Sequence, residues 1–130
     1  MTALDTNVLV RVITNDDQAQ AARAAKFLRE QERVFIAKTV LLELEWVLRS
    51  AYRIEPSAIV SALRGILDAL NVEIEDEPAV RQALEWCEQG MDFAGGLHLA
   101  SAGPDRSFAT FDNALRRKIR RFAINEPADL

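Results

Sequence analysis

Four acidic residues of this 130-residue chain stand where chemistry can be done. Asp5 follows Thr2-Ala3-Leu4 and precedes TNVLVRVI, and Asp112 follows SFATF and precedes NALRRKI. Both sit where a short apolar stretch of strand character gives way to the next element. In an open parallel sheet, ligands bind beyond the carboxyl ends of the strands, at junctions of this kind. Asp92 opens the helical stretch carrying Leu97, Leu99 and Ala100. Glu43, in TVLLELEWVLR, has Val40, Trp46 and Val47 at i−3, i+3 and i+4, and none of them is basic. A half-buried carboxylate without a partner is costly unless a cation satisfies it. Glu45 differs, because Arg49 lies four residues on in the favourable acid-before-base order, which predicts a solvated surface pair. The competing assignment for each Asp is a helix N-cap. For Glu43 it is a side chain that reaches water at the rim of an apolar face.

Carboxylates gathered without a His or Cys cluster suit hard cations, because Mg²⁺ and Mn²⁺ prefer oxygen ligands. An ion held this way lowers the pKa of bound water and stabilises charge on a phosphoryl oxygen, which fits phosphodiester hydrolysis. One His and one Cys in the chain argue against a zinc site. The single Cys87 also rules out an internal disulfide and suits a reducing, cytoplasmic setting. A small-molecule phosphatase with an Asp nucleophile is poorly supported. It calls for a second Asp two residues after the first, and Asn7 stands there.

The 20 acids face 16 bases, a net charge of −4, which argues against coating nucleic acid by charge alone. Neutralising four acids with bound cations leaves 16 against 16, so a nucleic-acid enzyme with metal-binding carboxylates fits the composition. RRKIRR (116–121) places Arg116, Arg117, Lys118, Arg120 and Arg121 around a helix anchored by Leu115, Ile119 and Phe122. Such a run is either a solvated face or a set of phosphate contacts beside Asp112. The phosphate role, for Arg116 and Arg117 in particular, is slightly favoured. His98 is expected to be a packed or hydrogen-bonded structural residue, Trp46 and Trp86 core or interface residues, and Cys87 a small buried hydrophobe.

The elements that must position these acids are legible in outline. The length suits one domain, 1–130, and no apolar run approaches the roughly 20 residues of a membrane span. No signal peptide is evident. Strands are expected at 2–4, 34–37, 71–75 and 107–111. The spacing of Ala21, Ala24, Ala25 and Leu28 predicts a helix capped by Asp16 or Asp17. Further helices are expected over about 39–52, from Pro56 through Leu67, from Asp76 to Gly90, over 91–102, and from Asp112 to Phe122. Strands alternating with helices predict an α/β domain around a mostly parallel sheet. The pair Gly95-Gly96 inside an expected helix is costly, about 1 kcal/mol each relative to Ala.

Taken together, ALDTNVLVR, LLELEWVLR, MDFAGGLHLA and FATFD resemble, in order and over nearly the whole chain, the four motif blocks of the PIN-domain ribonucleases. The similarity is greatest to the VapC-type toxins of bacterial toxin–antitoxin pairs. The resemblance implies a PIN-like fold with a mostly parallel central sheet of four to five strands flanked by helices. It implies an endoribonuclease that uses Mg²⁺ or Mn²⁺, acts on RNA, is held in check by a cognate protein antitoxin, and forms a homodimer. Carried over residue by residue, Asp5, Glu43, Asp92 and Asp112 become catalytic, with Asp5, Asp92 and Asp112 on the metal. Asn7, Thr110, Arg116 and Arg117 become RNA contacts.

The third block departs from the pattern. Where the family carries a second acid three residues after the first, this chain has Gly95. Residues i and i+3 share a helix face, so Asp92 is expected to compensate from one turn earlier. The alternative is a catalytically weak or inactive PIN module that acts by binding antitoxin or RNA, whether the glycine is natural or a deliberate change.

Overall fold

The computed structural model describes residues 1–122 and 124–130. Its chain divides into two compact units, Met1–Glu77 and Pro78–Leu130.

The first unit is a three-stranded parallel sheet with helical crossovers. The order along the chain is β1 (Thr2–Ala3), α1 (Thr6–Thr14), α2 (Gln18–Glu30), β2 (Val34–Ile36), α3 (Lys38–Ser50), α4 (Pro56–Leu67) and β3 (Val72–Ile74). The sheet order is β1-β2-β3, with Thr2 beside Val34, and Val34 and Ile36 beside Val72 and Ile74. Val34 and Ile36, on one face of the central strand, are wholly buried, and Phe35 on the other face is partly buried. On α3 the buried positions are Leu41, Leu44, Glu45 and Leu48, an i, i+3, i+4, i+7 stripe. Asp17 caps α2 by accepting from the Gln20 amide at 3.0 Å. Asn15 ends α1 in the left-handed conformation at φ 54°, a role that Asn tolerates better than most residues.

The second unit is helical, with α5 (Glu77–Glu88) starting at the boundary, then α6 (Phe93–Ala102) and α7 (Asn113–Arg121). Its core gathers Met91, Leu99, Leu115 and Ile119, with Trp86, Phe108, Phe122 and Ile124 packed against them. Gly96 has a packing reason. A Cβ there would lie 3.3 Å from the Met91 sulfur and 3.6 Å from the Ala83 backbone, so the glycine lets α6 lie close against α5.

Two expectations about strands are corrected. The sheet among the described residues has three strands, and 107–111 is not one of them. The segment's polar groups are used elsewhere. The Phe108 carbonyl accepts from the Ala128 amide at 2.9 Å, and the Thr110 carbonyl accepts from the Arg116 guanidinium at 3.3 Å. The Thr110 hydroxyl accepts from the Asp112 amide at 3.0 Å, a local turn bond that competes with a sheet ladder. Phe111, an apolar position of the expected strand, is 84% exposed.

Candidate functional site

In the first unit, the β1–α1 junction sets Asp5 at the mouth of α1, its side chain exposed and accepting from the Thr6 amide at 2.7 Å. That amide belongs to the first helical residue. A full N-cap reaches the second or third, so Asp5 is only partly engaged as a cap. Thr6 is buried, and its hydroxyl donates to the Glu43 carboxylate on α3. One residue thus ties the two acids together, through its amide to Asp5 and through its hydroxyl to Glu43. Asn7, next along α1, is exposed.

The two glutamates of α3 exchange the places expected of them. Glu43 is exposed, whereas Glu45 is 6% exposed and is clasped by Arg49 at 2.8 and 3.4 Å. The cause is helical phase: position 45 falls on the stripe of Leu41, Leu44 and Leu48, and position 43 does not. Trp46, three residues beyond Glu43, is 57% exposed and is not a core residue of the chain.

In the second unit, Asp92 caps α6 by accepting from the Gly95 amide at 2.9 Å, and Asp112 caps α7 by accepting from the Leu115 amide at 3.1 Å. Both bonds reach the third helical residue and satisfy an end amide that the helix leaves unpaired. The Asp92-capped start of α6 packs against Leu115 of α7. A Cβ on Gly95 would lie 3.3 Å from the Leu115 side chain and 3.6 Å from an Asp92 carboxylate oxygen. An acid at position 95 would therefore stand beside Asp92, with Leu115 giving way by a few tenths of an ångström.

Capping and cation binding are compatible. An ionised carboxylate has about four acceptor positions, and one cap bond uses one of them. Each unit supplies two carboxylates and oxygen donors only, the set a hard divalent cation prefers. Within each unit, no group of three or more ligand-type side chains is assembled among the described residues.

The basic run of α7 is largely committed. Arg116 donates to the Thr110 and Ala128 carbonyls, and Lys118 to the Gly90 carbonyl. Arg120 lies 3.5 Å from Glu126, and Arg121 sits over the Phe122 ring. Arg117 is exposed and makes no ion pair with a described residue. His98 and Cys87 also depart from expectation, His98 being exposed and Cys87 only partly buried.

Two features of the first unit lay outside the residues singled out by type and spacing. One is a cleft of about 880 Å³ that includes Asp5, Asn7 and Arg11 on one wall and Arg23, Lys26 and Phe27 of α2 on the other. The other is a polar knot at the end of α1. The Tyr52 hydroxyl donates to Asp16 at 2.7 Å, Thr14 donates to Asp16 at 3.0 Å, and Arg11 approaches Asp16 at 3.3 Å. The Tyr52 hydrogen bond first, then that of Thr14 and the Arg11 charge, hold the Asp16 carboxyl below its ordinary pKa. The signal for the cleft was present in the chain, since residues 20, 23, 27 and 30 share one face of α2.

The first unit is a parallel α/β sheet with a carboxylate at its strand-to-helix junction, and the second is a set of helices two of which begin at an acid. The chain belongs to the PIN-domain family, whose model, described as PIN domain, matches residues 2–120. PIN domains are generally nucleases and typically use divalent metal ions. No curated protein and no solved structure matched the chain. Among the described residues, no helix is long and apolar enough to cross a membrane.

Proposed function

We propose that the protein is a divalent-metal-dependent endoribonuclease, the toxin of a cytoplasmic toxin–antitoxin pair. The observation that carries the nuclease reading is Thr6, which fastens Asp5 and Glu43 to one buried residue at a strand end while leaving Asp5 only half used as a cap. Asp5, Asp92 and Asp112 would hold Mg²⁺ or Mn²⁺. A bound ion of this kind lowers the pKa of water and neutralises charge developing on a phosphoryl oxygen.

The chain's own residues supply position and charge. Glu43, exposed and hydrogen-bonded by Thr6, would accept a proton from the attacking water. Asn7, Thr110 and Arg117 would contact the RNA, while Arg116, already bonded to two carbonyls, would act by fixing the chain on either side of Asp112. Hydrolysis forms a bond from water oxygen to phosphorus and breaks the bond from phosphorus to the 3′ oxygen. That oxygen leaves with a proton, giving 5′-phosphate and 3′-hydroxyl ends. The resemblance of the motif blocks supports the toxin role, a cognate protein antitoxin and a homodimer. A weakly active or inactive module remains the second reading, because Gly95 stands where an acid beside Asp92 would complete the unit's ligand set.

The deciding experiment is cleavage of single-stranded RNA with Mg²⁺ or Mn²⁺, compared with Asp5→Asn. Metal-dependent cleavage that vanishes in the variant supports the enzyme. Equal traces of cleavage in both leave the binding module.

A further inference from the structure

The cleft of the first unit extends the acid-bearing junction along α2. Asp5 and Asn7 lie in its wall on α1, and the opposite wall carries Arg23, Lys26 and Phe27. Residues 23, 26 and 27 follow the i, i+3, i+4 spacing that puts side chains on one helix face, so both cations and the ring face the same space. Arg23 is exposed and makes no hydrogen bond or ion pair with any described residue. Lys26 has only the exposed Glu30 at 3.8 Å, a pair that holds it weakly. Phe27 is 36% exposed, so part of its ring is open to the cleft it lines. At the far end Arg11 is aimed by three partners: its Nε donates to Gln20 at 2.6 Å, and its guanidinium meets Asp16 at 3.3 Å and the Tyr52 hydroxyl at 3.4 Å.

An unpartnered Arg23, a Lys26 held only weakly by the cleft-lining Glu30, an open aromatic face and a volume of about 880 Å³ are the parts of a backbone-tracking groove for single-stranded nucleic acid. A purely apolar partner would leave Arg23 desolvated and unpaired, at a high free-energy penalty. Resting on the ribonuclease reading, we propose that this cleft binds the single-stranded RNA flanking the cut, with Arg23 and Lys26 on its phosphates and Phe27 stacked on an unpaired base. The scissile phosphate lies at the Asp5 end of the cleft, and the α2 wall takes the neighbouring nucleotides. Arg23, Lys26 and Phe27 are thus substrate-binding residues, distinct from the acids.

The test is fluorescence anisotropy of a labelled single-stranded oligoribonucleotide, in EDTA so that no cleavage intervenes, across a range of salt concentrations. The variants are the full chain, Arg23→Glu/Lys26→Glu, and Arg29→Glu/Arg33→Glu, which makes the same charge change outside the cleft lining. Because Arg23 and Lys26 are exposed and Glu is a good helix former, the cleft variant is expected to melt like the parent. Losing two phosphate contacts should weaken binding about tenfold or more at low salt and flatten the slope of log K against log salt by about 1.4. Phe27→Ala should weaken binding without changing the slope. Unchanged affinity and slope in Arg23→Glu/Lys26→Glu, or an equal loss in Arg29→Glu/Arg33→Glu, overturns the cleft assignment and leaves the nuclease reading standing wherever the parent chain still cuts RNA. A parent chain that binds no RNA overturns the cleft assignment too, whereas the nuclease reading falls only if cleavage is absent.

Discussion

The two units each carry two acids and use them differently. In Met1–Glu77, Asp5 and Glu43 are linked through Thr6, and the Asp5 carboxylate touches only the first amide of its helix. In Pro78–Leu130, Asp92 and Asp112 each reach the third amide of a helix, the full capping bond. A cap is a stability device that needs any good acceptor, and Asn serves as well as Asp. The first pair is arranged beyond what capping requires, while the second meets that requirement and is short of the acid that Gly95 replaces. The difference separates charge from hydrogen bonding, and substitutions can separate them too.

The largest effect is expected at Asp5. Asp5→Asn keeps a side-chain acceptor at the helix mouth and removes the negative charge, so the melting temperature should stay within a degree or two while metal-dependent cleavage falls. If the charge supplies about 4 kcal/mol of transition-state stabilisation through an ion, kcat/KM drops about a thousandfold. An activity loss matched by unfolding would reduce Asp5 to a cap and erase the contrast between the units. Next in size is Gly95→Asp, which sets a second carboxylate beside Asp92. Titration with Mn²⁺ should show tighter binding, and cleavage should rise by about ten- to a hundredfold, the worth of roughly 1.4–2.8 kcal/mol. No gain at saturating Mn²⁺ would mean that Asp92 alone suffices.

A smaller effect tests the caps directly. Asp112→Ala should destabilise the protein by about 1 kcal/mol, since the Leu115 amide loses its acceptor, and Asp5→Ala should cost only a few tenths of that. Urea denaturation of the two variants side by side makes the comparison. Equal losses would show that Asp5 caps α1 as fully as Asp112 caps α7.

Much of this contrast was legible in the chain. Asp5 does mark a strand end, and Asp5, Asp92 and Asp112 do begin helices at Thr6, Phe93 and Asn113. What the local pattern could not carry was phase and competition. Glu43 and Glu45 were separated by charge neighbours, yet helical phase decides which is buried, and the stripe 41, 44, 45, 48 places Glu45 inside. Ser107–Phe111 reads like a strand, but pairing needs a neighbour, and here Arg116 and Ala128 take its Thr110 and Phe108 carbonyls. The cleft escaped because its signal lies on the polar side of α2, where a helix reads as solvated whether or not another wall faces it. Gly96 looked like a weakness by helix propensity, and the close approach of Met91 and Ala83 gives it a purpose.

The smallest expected effect belongs to the polar knot of the first unit, where a carboxylate acts through charge and hydrogen bonds alone. Asp16 is held below its ordinary pKa chiefly by the Tyr52 hydroxyl, so its native carboxyl releases its proton more readily than the unfolded one does. The sign follows from linkage. The stabilisation is fully present above the ordinary carboxylate pKa of about 4, and it is lost as pH falls through the lower native value. Tyr52→Phe removes the leading contribution, so the variant should be less stable than the parent near neutrality, and the gap should narrow as Asp16 becomes protonated in both. Urea denaturation from about pH 7 down to about pH 3 reads the gap directly. A gap that stays constant over that range would make Tyr52 a packing residue, and the knot would then hold Arg11 toward the cleft by shape rather than by charge.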